Sequence, residues 1–141
     1  MAFDTGRTKL AVSQLTEVKL FDVDATRLDK RSTRIDDPSA VRAVTFSSDG
    51  TRVITGGADG ARIWDLETGK LLATRDDHNV INGLAMDKDT LWTASEEDHT
   101  VDAWDVRVED GVVSTLARFV ARHGPWRLDD HDNLIRALRR I

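Results

Sequence analysis

Two stretches of this chain carry nearly the same pattern forty residues apart, and a chain that repeats itself at that period can fold in few ways. Residues 41 to 79, VRAVTFSSDGTRVITGGADGARIWDLETGKLLATRDDHN, and 80 to 113, VINGLAMDKDTLWTASEEDHTVDAWDVRVEDGVV, align with Phe46 on Met86 and Trp64 on Trp104, a spacing of 40. The opening stretch, MAFDTGRTKLAVSQLTEVKLFDVDATR, adds a fainter copy. Phe3 falls under Phe46, Gly6 under Gly50 and Phe21-Asp22 under Trp64-Asp65, at offsets of 43 or 44. Units of this size are one supersecondary element each, and none can bury its faces without a neighbour.

Within the clearest unit the pattern is one of short strands. Val41 to Phe46 alternates into a Ser48-Asp49-Gly50 turn, Arg52 to Thr55 follows, and Gly56 to Gly60 turns again. Ala61 to Trp64 alternates into Asp65, and Thr68-Gly69 turns the chain into Lys70 to Thr74. That predicts four antiparallel strands with β-branched residues where a pleat accepts them and Asp, Asn and Gly at the turns. Residues 1 to 106 show no helical periodicity.

The segment FSSDGTRVITGGADGARIWDLETGKLLAT resembles a WD40 repeat along nearly its whole length, through the Asp-Gly turn, the Gly-Gly-x-Asp-Gly turn, Trp-Asp and Thr-Gly-Lys. The resemblance covers about three repeats over residues 1 to 116, strong in the second, good in the third and eroded in the first. It implies an all-β fold of four-stranded antiparallel β-propeller blades, divided as 1–40, 41–79 and 80–116, with residues 117–141 as a basic tail. It also implies a rigid platform for protein partners that has no chemistry of its own.

The resemblance further implies a buried network in each blade, in which a Trp indole N–H, a Ser or Thr hydroxyl, a His and an Asp satisfy one another. Carried onto the third unit, the set is His78, Thr93, Asp98 and Trp104. The second keeps Thr55, Asp59 and Trp64 but has DDPSA, residues 36 to 40, where the His is expected. The first has Phe21 for Trp and Ser13 for the hydroxyl, with no aligned His or Asp. A closed network of this kind fixes inner packing, and breaking one member costs a few kcal/mol.

Composition excludes much else. The chain has no cysteine, so disulfides, thiolate metal sites and cysteine nucleophiles are absent, and a reducing cytoplasm is the expected compartment. No apolar run is long enough for a signal core or a membrane span. RDDHN (75 to 79), EEDHT (96 to 100) and LDDHDN (128 to 133) invite a metal reading, yet each sits between expected strands, where Asp, Asn and His are turn residues. No nucleophile elbow and no phosphate-binding glycine loop is present. The expectation is therefore no enzyme, no metal and no cofactor.

The net charge of −5 hides a basic tail, with Arg118, Arg122, Arg127, Arg136, Arg139 and Arg140 against Asp129, Asp130 and Asp132. With Trp126 it leaves nucleic-acid binding as a minor alternative. A solvated or docked face is the preferred reading.

Propellers need four to eight blades to close without a long unpaired edge, so three blades leave two open faces. The first unit starts inside a strand, as if cut at its edge. In the tail, Leu134, Ile135, Leu138 and Ile141 fall at i, i+1, i+4 and i+7, which favours an amphipathic helix over one blade face. The competing reading takes RLDDHDNLIRAL (127 to 138), similar to AMDKDTLWTA (85 to 94), as a partial fourth blade. Two copies would then make a seven-bladed ring.

Function is accordingly expected to be a protein-interaction scaffold, either part of a larger propeller or completing its ring by self-association. Its binding rim is expected to include Arg42, Asn79, Asn82 and Glu97. A different class of reading makes the chain the regulatory or sensor end of a signalling NTPase or kinase.

Overall fold

The computed structural model describes residues 1–24, 27–75, 79–97, 99–106, 126–128, 134–137 and 139–140. Each repeat folds into an antiparallel sheet. The first consists of β1 (Ala2–Phe3), β2 (Lys9–Gln14), β3 (Glu17–Asp24) and β4 (Arg27–Asp36), hydrogen-bonded in that order. The second has β5 (Val41–Phe46), β6 (Arg52–Gly57), β7 (Gly60–Asp65) and β8 (Leu71–Arg75), and the third begins with β9 (Gly83–Asp87), β10 (Thr90–Ser95) and β11 (Thr100–Asp105). All described elements are strands. The first strands β1, β5 and β9 lie next to one another, so the sheets stack as blades around one side.

Register repeats as faithfully as sequence. Trp64 lies opposite Val53 and Val53 opposite Phe46, while Trp104, Leu91 and Met86 form the same row in blade 3. In blade 1 the row is Phe21, Leu10 and Phe3. Side chains alternate across a pleat, so each blade has one face carrying this aromatic row and one facing the other way.

Two apolar clusters follow from that alternation. Trp64, Val53, Val44 and Phe46 on the aromatic face of blade 2 pack on Ala11, Val18, Leu20 and Ile35 of blade 1. Ile54, Ile63 and Ala73 on the opposite face pack on Leu91 and Trp104 of blade 3. The core thus lies between blades, as expected for units that cannot bury their own faces. Arg52 adds a polar tie across the second seam, where its Nη1 donates to the Val106 carbonyl at 2.7 Å.

The turns between first and second strands share one backbone conformation. Arg7, Gly50 and Lys88 have φ of 54°, 70° and 52°, and only blade 2 places glycine there. Asp49 organises the blade 2 turn by accepting hydrogen bonds from Ser47 Oγ and from the Thr51 amide and hydroxyl. Partial burial raises its carboxyl, but the bonds from Ser47 and Thr51 and the Arg52 charge outweigh it and hold the pKa down to about 2.

A stability effect follows. The folded carboxyl titrates below the unfolded one at 3.8, so the unfolded chain binds more protons between those values. The turn's contribution is present above pH 4 and is lost as pH falls through about 2. In urea unfolding at stepped pH, the gap between wild type and Asp49→Asn is expected to close over that window. A constant gap down to pH 2 would show that ionised Asp49 does not hold the turn.

Gly56 and Gly57 serve close approach, since both have ordinary dihedrals. A Cβ on Gly56 would lie 2.6 Å from Ile81 Cγ2, and one on Gly57 would overlap the Ala40 carbonyl oxygen. The space goes to the links between blades, where Ala58 N bonds to Ala40 O and Ile81 N to Gly57 O at 3.2 and 2.8 Å.

The tail departs from the favoured helix. Its described residues form β12 (Trp126–Leu128), β13 (Leu134–Ala137) and β14 (Arg139–Arg140). They join the edges of the sheets of blades 2 and 3. β13 runs parallel along β8 of blade 2, pairing Arg136 with Ala73, and β14 pairs antiparallel with β11 as the fourth strand of blade 3. The reason is that β8 and β11 each present a row of backbone N–H and C=O groups, which a strand satisfies and a helix cannot. Leu138 and Ile141 lie outside the described residues.

Candidate functional site

Two sets of residues carry functional expectations: the network inside the blades, which sets their shape, and the rim at one end. In blade 2, β6 and β7 bring Thr55 beside Trp64, and the indole Nε1 donates to Thr55 Oγ1 at 2.9 Å. Thr55 in turn donates to Asp37 Oδ2 at 2.6 Å. Asp37 comes from the link after β4, where the sequence reading left the His position empty, and its side chain is only 2% exposed.

A buried carboxylate needs a cation, and Arg62 on β7 supplies it with Nη1 2.9 Å from Asp37 Oδ1. Arg62 also grips Asp59 through two bonds of 2.9 and 2.7 Å. That hydrogen bond, against partial burial, holds the Asp59 carboxyl below the usual range. Asp59 therefore joins the network through Arg62.

Blade 3 solves the same problem with the charges exchanged. Trp104 Nε1 donates to Thr93 Oγ1 at 2.9 Å, and Arg75 Nη1 donates to the same oxygen at 2.9 Å. Arg75 also lies over the Trp104 ring, 4.1 Å from its centre, and its Nη2 is 3.4 Å from Asp102. Arg75 thus takes the role of Asp37, and Asp102 takes that of Arg62. A hydroxyl both donates and accepts, so Thr55 gives its proton to an anion, while Thr93 accepts from the neutral indole N–H and from a cation. His78 and Asp98 lie outside the described residues.

Among its described residues, blade 1 shows no Trp and hydroxyl network of this kind. Ser13 pairs with Val18 and shares the face of Ala11, turned away from Phe21, so it does not hold the hydroxyl position. Val12 does, two residues beyond Leu10 in the row of Phe21 and Phe3.

The rim gathers the turns between second and third strands and the links between blades. Backbone bonds tie Asp37 N to Thr16 O, Val41 N to Leu15 O and Asn82 N to Ala94 O. Arg42 and Glu97 are exposed there, while Asn79 and Asn82 are half-buried. Asn82 Nδ2 donates to Glu96 Oε2 at 3.1 Å, so the link before blade 3 and its second turn meet at one end. His99 completes that turn at a φ of 57°, a conformation His tolerates better than most side chains. Among the described residues, no three of His, Asp and Glu converge closely enough to hold a metal ion.

Sequence comparison missed Asp37, Arg62, Arg75 and Asp102. A signal was available: Asp37 and Arg75 each stand 18 residues before the Thr of the next blade. Arg62 and Asp102 each stand two residues before its Trp, with opposite charge.

Known proteins agree with this architecture. Residues 30–65 match the family model described as WD domain, G-beta repeat, from within β4 to the end of β7. The small ribosomal subunit protein RACK1 of Caenorhabditis elegans is 32% identical over 90 residues, covering 63% of this chain and 27% of that protein. RACK1z of Arabidopsis thaliana, also a small ribosomal subunit protein, is 32% identical over 77 residues, 54% of this chain and 24% of its own. The chain thus spans about a quarter of the length of these relatives. The solved structures of U3-55K and of the RRP9 WD40 repeats each superpose with a TM-score of 0.62 at 20% identity, over 74% of this chain and 34% of theirs. Residues 30–65 match a WD40 repeat, and the sheets share the fold of the blades in those WD40 structures.

Proposed function

We propose that this arc of WD40-type blades is a non-enzymatic scaffold that binds protein partners at its rim, within a ring completed by further blades. The observation that supports this most is the placement of polar chemistry. The buried hydrogen bonds and ion pairs of Trp64, Thr55, Asp37 and Arg62 hold blades together, while exposed side chains of mixed charge collect at the end where links and turns meet. Rigid strands presenting variable turns suit recognition of another protein surface. The cytoplasm is the proposed location, consistent with the lack of cysteine.

Arg42 and Asn82 are the residues to test. Arg42 is exposed at the start of β5 and Asn82 is half-buried, so a combined Arg42→Glu and Asn82→Ala variant is expected to keep its unfolding midpoint close to wild type. Proteins co-purifying with the wild-type chain are expected to fall by roughly tenfold or more with the variant, as for loss of an interface hot spot. An unchanged set of partners would count against the rim.

A further inference from the structure

The faces at the two ends of the arc differ from each other, and each repeats one side of a seam the chain already contains. Blade 3 turns Trp92, Ala85, Ala94, Val101 and Ala103 outward, with Trp92 43% and Val101 68% exposed. Trp92 occupies the position that Ile54 holds in blade 2, and Ala103 that of Ile63. In blade 2 those two residues are 1% and 3% exposed because the aromatic face of the next blade covers them. Blade 1 turns its own aromatic row outward: Phe3, 54% exposed, with Leu10, Val12 and Phe21 half-buried beside it. In blades 2 and 3 the equivalent rows end in Trp64 and Trp104, each 6% exposed against the preceding blade.

We propose that the open aromatic face of blade 1 docks on the open face of blade 3 in a second copy of this chain, head to tail, so that two copies close a six-bladed ring. This deepens the ring-completion part of the proposed function and rests on it. A second copy is the occupant because one chain carries both halves of the contact, and the chain shows twice, at its internal seams, how those halves fit.

The composition of the two faces agrees with that assignment. Blade 1 puts Val12 where Thr55 and Thr93 stand and Lys19 where Arg62 stands, and Lys19 already faces Glu17 of its own blade at 3.7 Å, so this cation has a carboxylate without one delivered from the preceding blade. On blade 3, Ala85, Ala94 and Ala103 around Trp92 leave room for the Phe3, Leu10 and Phe21 row. The contact is heterologous, and a two-fold axis makes it twice, leaving no open blade face in the ring.

The mass of the chain in solution tests this, with variants on each face. Phe3→Asp and Trp92→Asp change exposed positions, and circular dichroism with thermal unfolding shows whether each folds. Wild type is expected to be a dimer at micromolar protein by sedimentation. Each variant alone is expected to associate at least about 100-fold more weakly, because it would desolvate a carboxylate against an apolar face. An equimolar mixture of the two is expected to recover a dimer, since each supplies the face the other has lost.

A monomeric wild type would overturn the proposal and show that the blades completing the ring come from elsewhere. Dimerisation of one variant alone, with none gained on mixing, would reveal a face pairing with itself and overturn the head-to-tail geometry. Undiminished dimers of both variants would place the contact on another surface. None of these results touches the rim reading, which is scored by partner retention with the Arg42 and Asn82 variant.

Discussion

Replacing Asp37 by alanine is expected to destabilise the folded chain by about 3–5 kcal/mol, the cost of removing one partner of a buried ion pair. Arg62 is 12% exposed and would lose the carboxylate 2.9 Å from its Nη1, while Thr55 would lose the acceptor of its hydroxyl. Asp59 keeps part of the guanidinium satisfied, which places the effect toward the lower end of that range. Asp37→Asn keeps an oxygen for Thr55 and is expected to cost less.

The double variant Asp37→Leu with Arg62→Met removes both charges and is expected to regain much of the loss, because neither ion is then left alone in a poor solvent. Urea midpoints of the two singles and the double give the coupling directly. Strictly additive losses would mean that the pair does not act as a unit. The pair joins the link after blade 1 to the third strand of blade 2, so it fixes how consecutive blades meet as well as how firmly.

Truncating Trp64 to alanine is expected to cost about 3–5 kcal/mol as well, by a different route. Trp64 is 6% exposed and fills the seam with Ala11, Val18, Leu20 and Ile35, so its loss opens a cavity between blades 1 and 2 that rigid strands cannot close. Trp64→Phe keeps most of that apolar surface and removes the indole donor to Thr55. Its expected cost is about 1 kcal/mol, the net worth of one hydrogen bond. Thermal or urea unfolding of the two variants separates packing from hydrogen bonding. Equal losses would make the hydrogen bond the main contribution.

The strands of the second repeat were legible residue by residue. Val41–Phe46 is observed as expected, and the next three strands begin or end within two residues of their expected limits. The alternation that marks them is local, with every second side chain on one face and a turn residue where the chain reverses. The hydroxyl of Thr55 beside Trp64 was legible through the resemblance to a WD40 repeat, which implies a Ser or Thr partner for the indole.

The tail and the first blade were less legible. Four apolar residues over positions 134 to 141 satisfy a helical period, yet Leu134–Ala137 and Arg139–Arg140 are strands. Free sheet edges on β8 and β11 decided this, and such an edge has no signature within the tail itself. Ser13 looked like a hydroxyl partner for Phe21 because it is polar and close in alignment. Register places Val12 there, since shifting a strand by one residue turns every side chain to the other face.

The sequence by itself determined the repeat and the strands of the second unit, because both depend on short-range periodicity, and its resemblance to WD40 repeats implied the Trp and Thr pairs at the centre of blades 2 and 3. Only the tertiary structure decided which charged groups complete those pairs. Asp37 and Arg62 meet from 25 positions apart, and Arg75 and Asp102 from 27. A hydroxyl accepts either polarity, so the chemistry of Thr55 and Thr93 alone leaves the sign of the partner open. The stacking of one blade on the next settles it, by bringing an aspartate to one slot and an arginine to the other.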